Sequence, residues 1–281
     1  MIYAICPLSV VPIRSSASDK SEMVSQLLFG EMVEVIEQRG GWAKVRCLWD
    51  NYIGWTDRKQ LKILPEEEIQ IYQKKYALSL ELFHGAMADG YSLPITIGAT
   101  LPRFDGLKFH LNGSSFNFSG QAIEPTEVTQ ESGMLLKIAR RYLYAPYLWG
   151  GRSPLGIDCS GFTQMVYKMI GISIPRDASQ QVEKGRLIDF VEQVQPGDLA
   201  FFENKKERIV HVGIVMPERK IIHASGQVRI DQIDHFGIFN TEQDKYTHKL
   251  RVFKRLLSDE SPEANPEDLE VLDNPNQVAL F

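Results

Sequence analysis

The chain has 281 residues, of which 43% are hydrophobic and 24% are charged, a composition typical of globular proteins with room for two or three domains. Its formal net charge is −5, but the last 26 residues hold seven acids and no Lys or Arg, and without them the charge would be +2. Such a nearly neutral body excludes the basic surface typical of nucleic-acid-binding proteins. No window reaches the roughly 18 apolar residues of a membrane span.

Cysteine usage indicates the compartment. Cys6, Cys47 and Cys159 are too few and too scattered for a disulfide framework, which favours a reducing environment. The first residues lack the basic start and the small-residue cleavage site of a signal peptide. We therefore expect a cytoplasmic protein, with the periplasm or cell envelope as the alternative if a leader has been removed.

Residues 1–64 predict a small antiparallel barrel, because short strand patterns alternate with polar or Gly-Gly turns. The predicted strands are Tyr3–Ile5, Val10–Ile13, Glu31–Gln38, Trp42–Cys47 and Ile53–Trp55. Residues 65–124 begin with an acidic helical link at Pro65–Glu68 and continue with strand patterns at 76–83, 95–100 and 108–118. We interpret this second stretch as a second, degenerate barrel.

Residues 125–257 predict an α+β domain, in which helices come first and antiparallel strands follow. A helical pattern covers 125–142, a glycine-rich loop follows, and a second helix begins at Cys159. The predicted strands are Asp198–Phe202, Val210–Met216, Lys220–Ala224 and Leu250–Arg255. Residues 258–281 predict an extended or mobile acidic tail that docks through Val278, Leu280 and Phe281.

Cys159 lies where the glycine-rich loop becomes a helix, with the candidate cap Asp158 before it. Unpaired backbone N–H groups and the helix dipole stabilise a thiolate in a first turn, so the position predicts a lowered thiol pKa and a reactive nucleophile. The alternative is an inert buried cysteine, since free cysteines are among the most buried residues.

Two of the six histidines have a setting that suggests chemistry. His211 begins an apolar strand pattern and His223 ends the next one. If Pro217–Lys220 forms the turn between these strands, both histidines fall at the same end of the pair. One would then take the thiol proton and the other would orient it. The remaining four suggest only surface or core positions; they are His84, His110, His235 and His248.

Four ordered motifs carry a resemblance to a known family. They are Asp-Cys-Ser-Gly-Phe at 158–162, Pro-Gly-Asp-Leu at 196–199, His-Val-Gly-Ile at 211–214 and Ile-His-Ala at 222–224. Over about residues 130–255 they resemble the NlpC family of papain-like cysteine peptidases. Gly-Gly-Trp at 40–42 and Tyr-Ile-Gly-Trp at 52–55 resemble a bacterial SH3-like domain. The whole chain is similar to γ-D-glutamyl-L-diamino acid endopeptidases of the dipeptidyl-peptidase VI type.

This resemblance implies catalytic roles at four positions. Cys159 matches the nucleophile, His211 the general base and His223 the orienting residue. Tyr147 matches a tyrosine whose hydroxyl polarises the scissile carbonyl, and the Cys159 backbone N–H would be the second donor of the oxyanion hole. Without the resemblance, Tyr147 would be read as an aromatic side chain packed beside Trp149.

The resemblance also implies a substrate cleft closed at one end by the first barrel. Glu22 and Tyr52 match positions that bind the N-terminal L-alanine ammonium, and Asp177 is a further candidate for this amine. Arg176 and Ser160 match positions facing the D-glutamate carboxylate. Ala178 stands where relatives often carry serine, so one substrate hydrogen bond of the family is missing. The candidate binding residues are Glu22, Tyr52, Trp149, Asp158, Ser160, Arg176 and Asp177.

The implied activity is release of L-Ala-γ-D-Glu from murein tripeptides or tetrapeptides with a free N-terminal L-Ala, as in cell-wall peptide recycling. We expect a monomer without a cofactor. Two alternatives remain. One is a non-catalytic protein that binds cell-wall peptides through SH3-like domains. The other is a zinc site of Cys159, His211 and His223, which the lack of a close fourth ligand or a Cys-x-x-Cys pair disfavours.

Overall fold

The computed structural model describes residues 1–258, which form a β-rich N-terminal half and a C-terminal half of helices followed by strands. The segment predicted as an acidic tail lies outside the described residues except for Ser258, and so do its apolar residues Val278, Leu280 and Phe281. Within the described part of the chain, no helix has the length and apolarity needed to cross a membrane.

The first part is a seven-stranded antiparallel sheet in the order β3-β2-β6-β5-β4-β1-β7. Its elements are β1 Ile2–Ile5, β2 Val10–Arg14, β3 Met23–Leu28, β4 Met32–Arg39, β5 Trp42–Cys47, β6 Ile53–Asp57, a 3₁₀ helix at Arg58–Gln60, and β7 Lys62–Leu64. All five predicted strands are present within a few residues. Strands β3 and β7 were not predicted from the sequence. Alternating apolar residues such as Val11, Val33 and Val45 point into one core, as expected for a half-buried sheet.

The second part begins with α1, Glu66–Lys74, whose first turn carries Glu66, Glu67 and Glu68. Acids at this end are favourable because the helix dipole is positive there. The strands are β8 Tyr76–Ser79, β9 Phe83–Ala88, β10 Tyr91–Thr96, β11 Thr100–Pro102, β12 Lys108–Leu111, β13 Ser114–Asn117 and β14 Ala122–Ile123. They form a four-stranded and a three-stranded sheet. This part is therefore β-rich as predicted, and its interpretation as a second SH3-like barrel stays a prediction.

The third part contains three α-helices and a large antiparallel sheet. The helices are α2 Ser132–Arg141, α3 Cys159–Met169 and α4 Ala178–Gln181, with 3₁₀ turns at Pro125–Glu127 and Val191–Gln193. The strands are β15 Arg152–Ser153, β16 Gly156–Ile157, β17 Arg186–Ile188, β18 Leu199–Glu203, β19 Ile209–Met216, β20 Lys220–Ser225, β21 Gln227–Ile233, β22 Gly237–Asn240 and β23 Lys245–Arg255. The sheet order is β17-β23-β18-β19-β20-β21-β22, and β22 also pairs with β23. The helical segment predicted for 125–142 is thus shorter and begins only at Ser132.

Two cores lie on either side of this large sheet. Val212, Ile214 and Ile222 pack with α2 and α3 on one face, whereas Val215 and Ile221 belong to a smaller core on the other. Leu28 of the first part and Leu78 and Ile97 of the second join the core around α3. Burying a side chain of this size contributes roughly 1.5–3 kcal/mol, so this shared core fixes the N-terminal parts against the helix that begins at Cys159.

Candidate active site

The N-terminus of α3 is organised by Asp158. This residue has extended backbone angles and caps the helix, as predicted, by accepting a hydrogen bond from the Gly161 N–H at 2.7 Å. Its other carboxylate oxygen accepts from the Gly150 N–H at 2.8 Å, which ties the preceding loop to the helix. As the first helical residue, Cys159 has a backbone N–H with no partner inside the helix.

Arg176 lies beneath this turn and is only 2% exposed. Its guanidinium spans both oxygens of Asp158 at 2.9 and 2.6 Å, and it also donates to Ser160 Oγ at 2.9 Å. Ser25 Oγ at 3.2 Å and the Gly151 carbonyl at 3.4 Å take the remaining donors. All five N–H groups of the arginine are therefore used within the protein.

This network holds three of the residues that the sequence predicted for the substrate cleft, Arg176, Asp158 and Ser160. Arg176 pairs with Asp158 and also lines the cleft over Cys159, so its expected role towards a substrate carboxylate stays a prediction. Asp158 itself accepts two backbone N–H groups and the arginine, so it builds the nucleophile turn instead of offering a free carboxylate. Ser160 is 7% exposed and its hydroxyl is held between these two side chains.

The loop before the helix is packed against the first part of the chain. Gly150 has a φ of +77°, and a Cβ built on it would lie 2.3 Å from the Met23 carbonyl oxygen. Only glycine fits such a left-handed position against a neighbouring backbone. The next strand, β15, is also attached to the first part of the chain, because the Arg152 N–H donates to Gln26 Oε1 at 2.7 Å. Strand β3 thus forms one wall behind the nucleophile loop.

The Cys159 thiol is buried, with 6% of the residue exposed. Burial raises the pKa of Cys159 to about 12, and the neighbouring Asp158 carboxylate adds to this, while backbone N–H groups of Val212 and Ser160 oppose it only in part. The lowered pKa predicted from the helix position is therefore wrong for the resting state, because desolvation outweighs the helix terminus. The resting residue is a thiol.

His211 and His223 lie side by side, as the strand pattern predicted. The turn at Pro217–Lys220 joins β19 to β20, and His223 pairs with Gly213, two residues beyond His211. His211 Nε2 is 2.8 Å from His223 Nδ1. Burial lowers the pKa of His211 well below 6.5, and His223 and His248 lower it further, so the imidazole is neutral.

The Cys159 sulfur contacts the strand that carries His211 through a backbone N–H group. Its hydrogen-bonding partner Val212 is the residue directly after His211. Within residues 1–258 no thiol–imidazole hydrogen bond joins Cys159 to His211. Such contacts are often long in a free enzyme and tighten when substrate binds.

Two residues beside the histidines were missed in the sequence. Asp231 Oδ2 lies 2.9 Å from His223 Nε2, and Asp231 is 6% exposed. The His248 ring stacks on His211 with centroids 4.1 Å apart. A signal for Asp231 was present: the turn at Ser225–Gln227 pairs His223 with Arg229, so Asp231 falls on the same face two residues on. No local pattern marks His248, which lies on the long strand β23.

Tyr147 lies at the edge of the same site. Its N–H donates to the Gly226 carbonyl at 2.9 Å, and it bridges to Ile157, two residues before the nucleophile. Burial raises the pKa of Tyr147 to about 12, with Cys159 and Asp158 as the next contributions. The phenol is thus protonated at neutral pH and available as a hydrogen-bond donor.

A cleft of about 460 Å³ opens over Cys159 between the first and third parts. Its lining includes all seven candidate binding residues, Glu22, Tyr52, Trp149, Asp158, Ser160, Arg176 and Asp177, together with Ala178. Trp149 is 60% exposed, and its Nε1 donates to Glu22 Oε1 at 2.6 Å across the cleft. The first part of the chain therefore supplies one end of this cleft.

Asp177 is the carboxylate of the cleft that lacks a protein partner. No hydrogen bond or ion pair to it occurs within the part of the chain that the structure describes. Burial raises the pKa of Asp177, Arg176 opposes this, and Asp158, Asp50 and Glu22 add to it. Burial likewise raises the pKa of Tyr52 to about 12, with Asp177 as the next cause. This corner of the cleft is electrostatically suited to a cation.

The zinc site considered as an alternative has no matching ligand set in the described part of the chain. Among residues 1–258 no three His, Cys, Asp or Glu side chains are grouped so that they could hold a metal ion. Instead, His223 lies between His211 and Asp231 and contacts each of them at hydrogen-bonding distance.

Comparison with family models gives two matches. Residues 144–249 match the NlpC/P60 family, and residues 13–61 match the bacterial dipeptidyl-peptidase SH3 domain. The first match contains Tyr147, Cys159, His211 and His223, and the second contains Glu22 and Tyr52. Both halves of the cleft thus fall in recognised domains.

Individual relatives cover most of the chain. It is 30% identical over 236 residues to a γ-D-glutamyl-L-lysine dipeptidyl-peptidase of Bacillus cereus, an alignment that covers 74% of this chain and 68% of the relative. A protein of the same name from Bacillus subtilis is 31% identical over 216 residues, covering 71% of each. The crystal structure of an NlpC/P60 family protein from Bacillus cereus superposes with a TM-score of 0.79 at 23% identity, covering 91% of this chain and 100% of that one.

Proposed function

Since this chain belongs to the NlpC/P60 family of peptidases, we propose that it is a cysteine peptidase that cuts murein-derived peptides between D-glutamate and the following diamino acid. The substrate carries a free N-terminal L-Ala, and the product is L-Ala-γ-D-Glu. The observation that carries this proposal is the unpartnered Asp177 carboxylate beside Glu22 and Tyr52, in the cleft that also holds Cys159. The names of the two Bacillus relatives support the same substrate class.

The chemistry starts from a neutral thiol and a neutral imidazole. His211 takes the proton of Cys159 as the sulfur attacks the γ-carbonyl carbon of D-glutamate, and the resulting imidazolium protonates the departing amine. Water then attacks the thioester with His211 as base and releases the carboxylic acid and the thiol. Burial raises the pKa of Cys159 and lowers the pKa of His211, which favours the neutral pair in the resting protein.

The tetrahedral oxyanion needs two donors at about 3 Å. The Cys159 backbone N–H, at the first position of α3, has no partner within the helix, and the protonated Tyr147 phenol is near enough to Cys159 for the two groups to interact electrostatically. In the proposal these two groups form the oxyanion hole. Asp158 and Arg176 act indirectly, because they hold the turn that presents the Cys159 N–H.

Selection for a free amine comes from the closed end of the cleft. An ammonium placed between Glu22 and Asp177 would contact two carboxylates and give Asp177 a partner, and the Tyr52 hydroxyl could accept from it. Intact cell wall, in which this amine is capped, would leave these carboxylates unpaired and would be rejected. To bind there, the ammonium replaces Trp149 as the partner of Glu22.

The first experiment is mass spectrometry of L-Ala-γ-D-Glu-L-Lys and L-Ala-γ-D-Glu-meso-diaminopimelate after incubation with the protein, beside N-acetylated copies of both. We expect cleavage of the free-amine peptides alone, and none with Cys159→Ala. If both free and acetylated peptides are cut, the proposed peptidase activity is supported but the proposed selection for a free amine is wrong. If the wild type cuts neither and yet binds them, the chain is a cell-wall peptide-binding protein.

Cytoplasmic recycling of cell-wall peptides is the setting that we propose. The three cysteines are free and buried, which suits a reducing compartment. The expected monomer also remains part of this proposal, and sedimentation analysis of the purified chain would test it.

A further inference from the structure

We propose that Asp231 is a positioning residue that fixes the tautomer of His223 and, through it, the tautomer of His211. This inference rests on the proposed peptidase function, but the arrangement of protons that it describes exists in the free protein. It extends the pair of histidines into a relay, defined here as Asp231, His223 and His211.

Asp231 is held as a carboxylate. Arg229 Nε contacts its Oδ2 at 2.8 Å, and Arg229 Nη2 donates to its Oδ1 at 3.0 Å. Burial alone would raise the pKa of Asp231, but hydrogen bonds from His223 and Arg229 outweigh it and lower the pKa. Glu242 contacts the same arginine from the solvent side at 3.1 Å, with 73% of its side chain exposed.

An ionised carboxylate can only accept hydrogen bonds, so the proton in the 2.9 Å contact belongs to His223 Nε2. Burial lowers the pKa of His223, and Asp231 offsets this only in part, so the ring is neutral and its Nδ1 is an acceptor. The 2.8 Å contact therefore carries the proton of His211 Nε2. His211 is then left with an unprotonated Nδ1, the atom available to take the thiol proton.

Among residues 1–258, no second carboxylate contacts His223. The titratable or charged neighbours of the relay are Arg229, a cation that cannot accept a proton, and His248, which stacks on the His211 ring. His248 Nδ1 contacts Thr247 Oγ1 at 2.9 Å, away from the relay nitrogens. Asp231 Oδ2 is thus the acceptor that decides where the His223 proton lies.

Removing the Asp231 carboxylate would change which ring nitrogens of His223 and His211 carry protons. Without Asp231 as acceptor, nothing favours the proton on His223 Nε2. A proton on His223 Nδ1 would instead face the His211 Nε2–H, and two donors would then oppose each other. His211 could relieve this clash by carrying its own proton on Nδ1, but that would block the atom needed as base. Activity would fall because the wrong nitrogen is protonated, although the nucleophile and the binding cleft are unchanged.

Two substitutions of Asp231 distinguish the effect of its hydrogen-bond acceptor from the effect of its negative charge. Asp231→Leu removes the acceptor, and we expect kcat to fall about 10- to 100-fold with KM within twofold, as for carboxylates behind metal-bound histidines. Asp231→Asn can place its amide oxygen where Oδ2 contacts both His223 and Arg229, so we expect activity within about threefold of wild type. Glu242→Gln is the matched control, since it removes a carboxylate from the same arginine one contact further out, and it should leave kcat unchanged.

The decisive readout is the tautomer, measured by long-range ¹H–¹⁵N NMR of the protein labelled with ¹⁵N-histidine at pH 7.5. We expect Nε2–H signals for His223 and His211 in wild type and Asp231→Asn, and a shift towards Nδ1–H in Asp231→Leu. A wild-type His223 protonated on Nδ1 would overturn the proposal even if Asp231→Leu failed to fold. So would a folded Asp231→Leu with wild-type kcat. If the wild type cleaved no peptide but showed the expected tautomers, the peptidase proposal would fail and the relay would stand.

Discussion

The cluster that joins the first part of the chain to the nucleophile domain makes Glu31 the most informative residue for stability. Glu31 is 6% exposed and receives Arg152 at 2.7 and 2.9 Å and Lys168 at 2.7 Å. Both cations are themselves 2% exposed. Glu31→Gln keeps the size of the side chain but leaves two buried cations without a carboxylate between them.

The expected loss is large because removing one partner of a buried ion pair costs about 3–5 kcal/mol. At roughly 2–4 °C per kcal/mol for a chain of this size, the unfolding midpoint should fall by about 6–20 °C. The matched control is Glu34→Gln in β4. Glu34 pairs with Arg46 at 2.7 Å, but these side chains are 21% and 41% exposed, so its loss should cost at most about 1 kcal/mol.

The pH dependence gives a second test with a defined sign. Burial would raise the pKa of Glu31, but Arg152 and Lys168 outweigh it and lower the pKa to about 2, from an ordinary 4.5. A lowered carboxylate pKa contributes stability that is fully present above pH 4.5 and is lost as the pH falls towards 2. At about 1.4 kcal/mol per pKa unit this contribution is about 3 kcal/mol.

Urea unfolding of wild type, Glu31→Gln and Glu34→Gln, followed by tryptophan fluorescence between pH 7 and pH 3, would measure both effects. The gap between wild type and Glu31→Gln should be widest at pH 7 and should narrow below pH 4.5. Equal losses in the two variants at pH 7, or a gap that does not change with pH, would refute the assignment of a stabilising buried carboxylate.

Three further predictions concern the cleft. Tyr147→Phe should lower kcat about 10²–10³-fold with little change in KM, because it removes one oxyanion donor; steady-state kinetics would show otherwise if KM rose instead. Asp177→Asn should reduce the preference for free-amine over N-acetylated peptide at least tenfold, which competition kinetics would measure, and an unchanged preference would exclude an amine contact at Asp177. Because the pKa of the Cys159 thiol is raised to about 12, iodoacetamide should alkylate it slowly at pH 7 and faster as the pH rises to 10. Fast alkylation with a plateau below pH 8, seen by mass spectrometry, would contradict this.

The parts of the site that depend on local chain geometry could be predicted from the sequence. A glycine-rich loop before a helical period placed Cys159 in a first turn with Asp158 as its cap, and the structure confirms both. Strand patterns around a short turn placed His211 and His223 on neighbouring strands. These features follow from the periods of helices and strands and from turn chemistry, which a few consecutive residues encode.

Tertiary structure decided everything that depends on burial and on partners distant in the chain. Arg176 forms a buried ion pair with Asp158, 18 residues away, which no local pattern in the sequence indicated. The pKa of Cys159 rises instead of falling, because the assembled domains exclude water from the thiol. Glu31 meets Arg152 and Lys168 more than 100 residues further along the chain. Desolvation and ion pairing are set by the whole packed molecule, so no local pattern in the sequence encodes them.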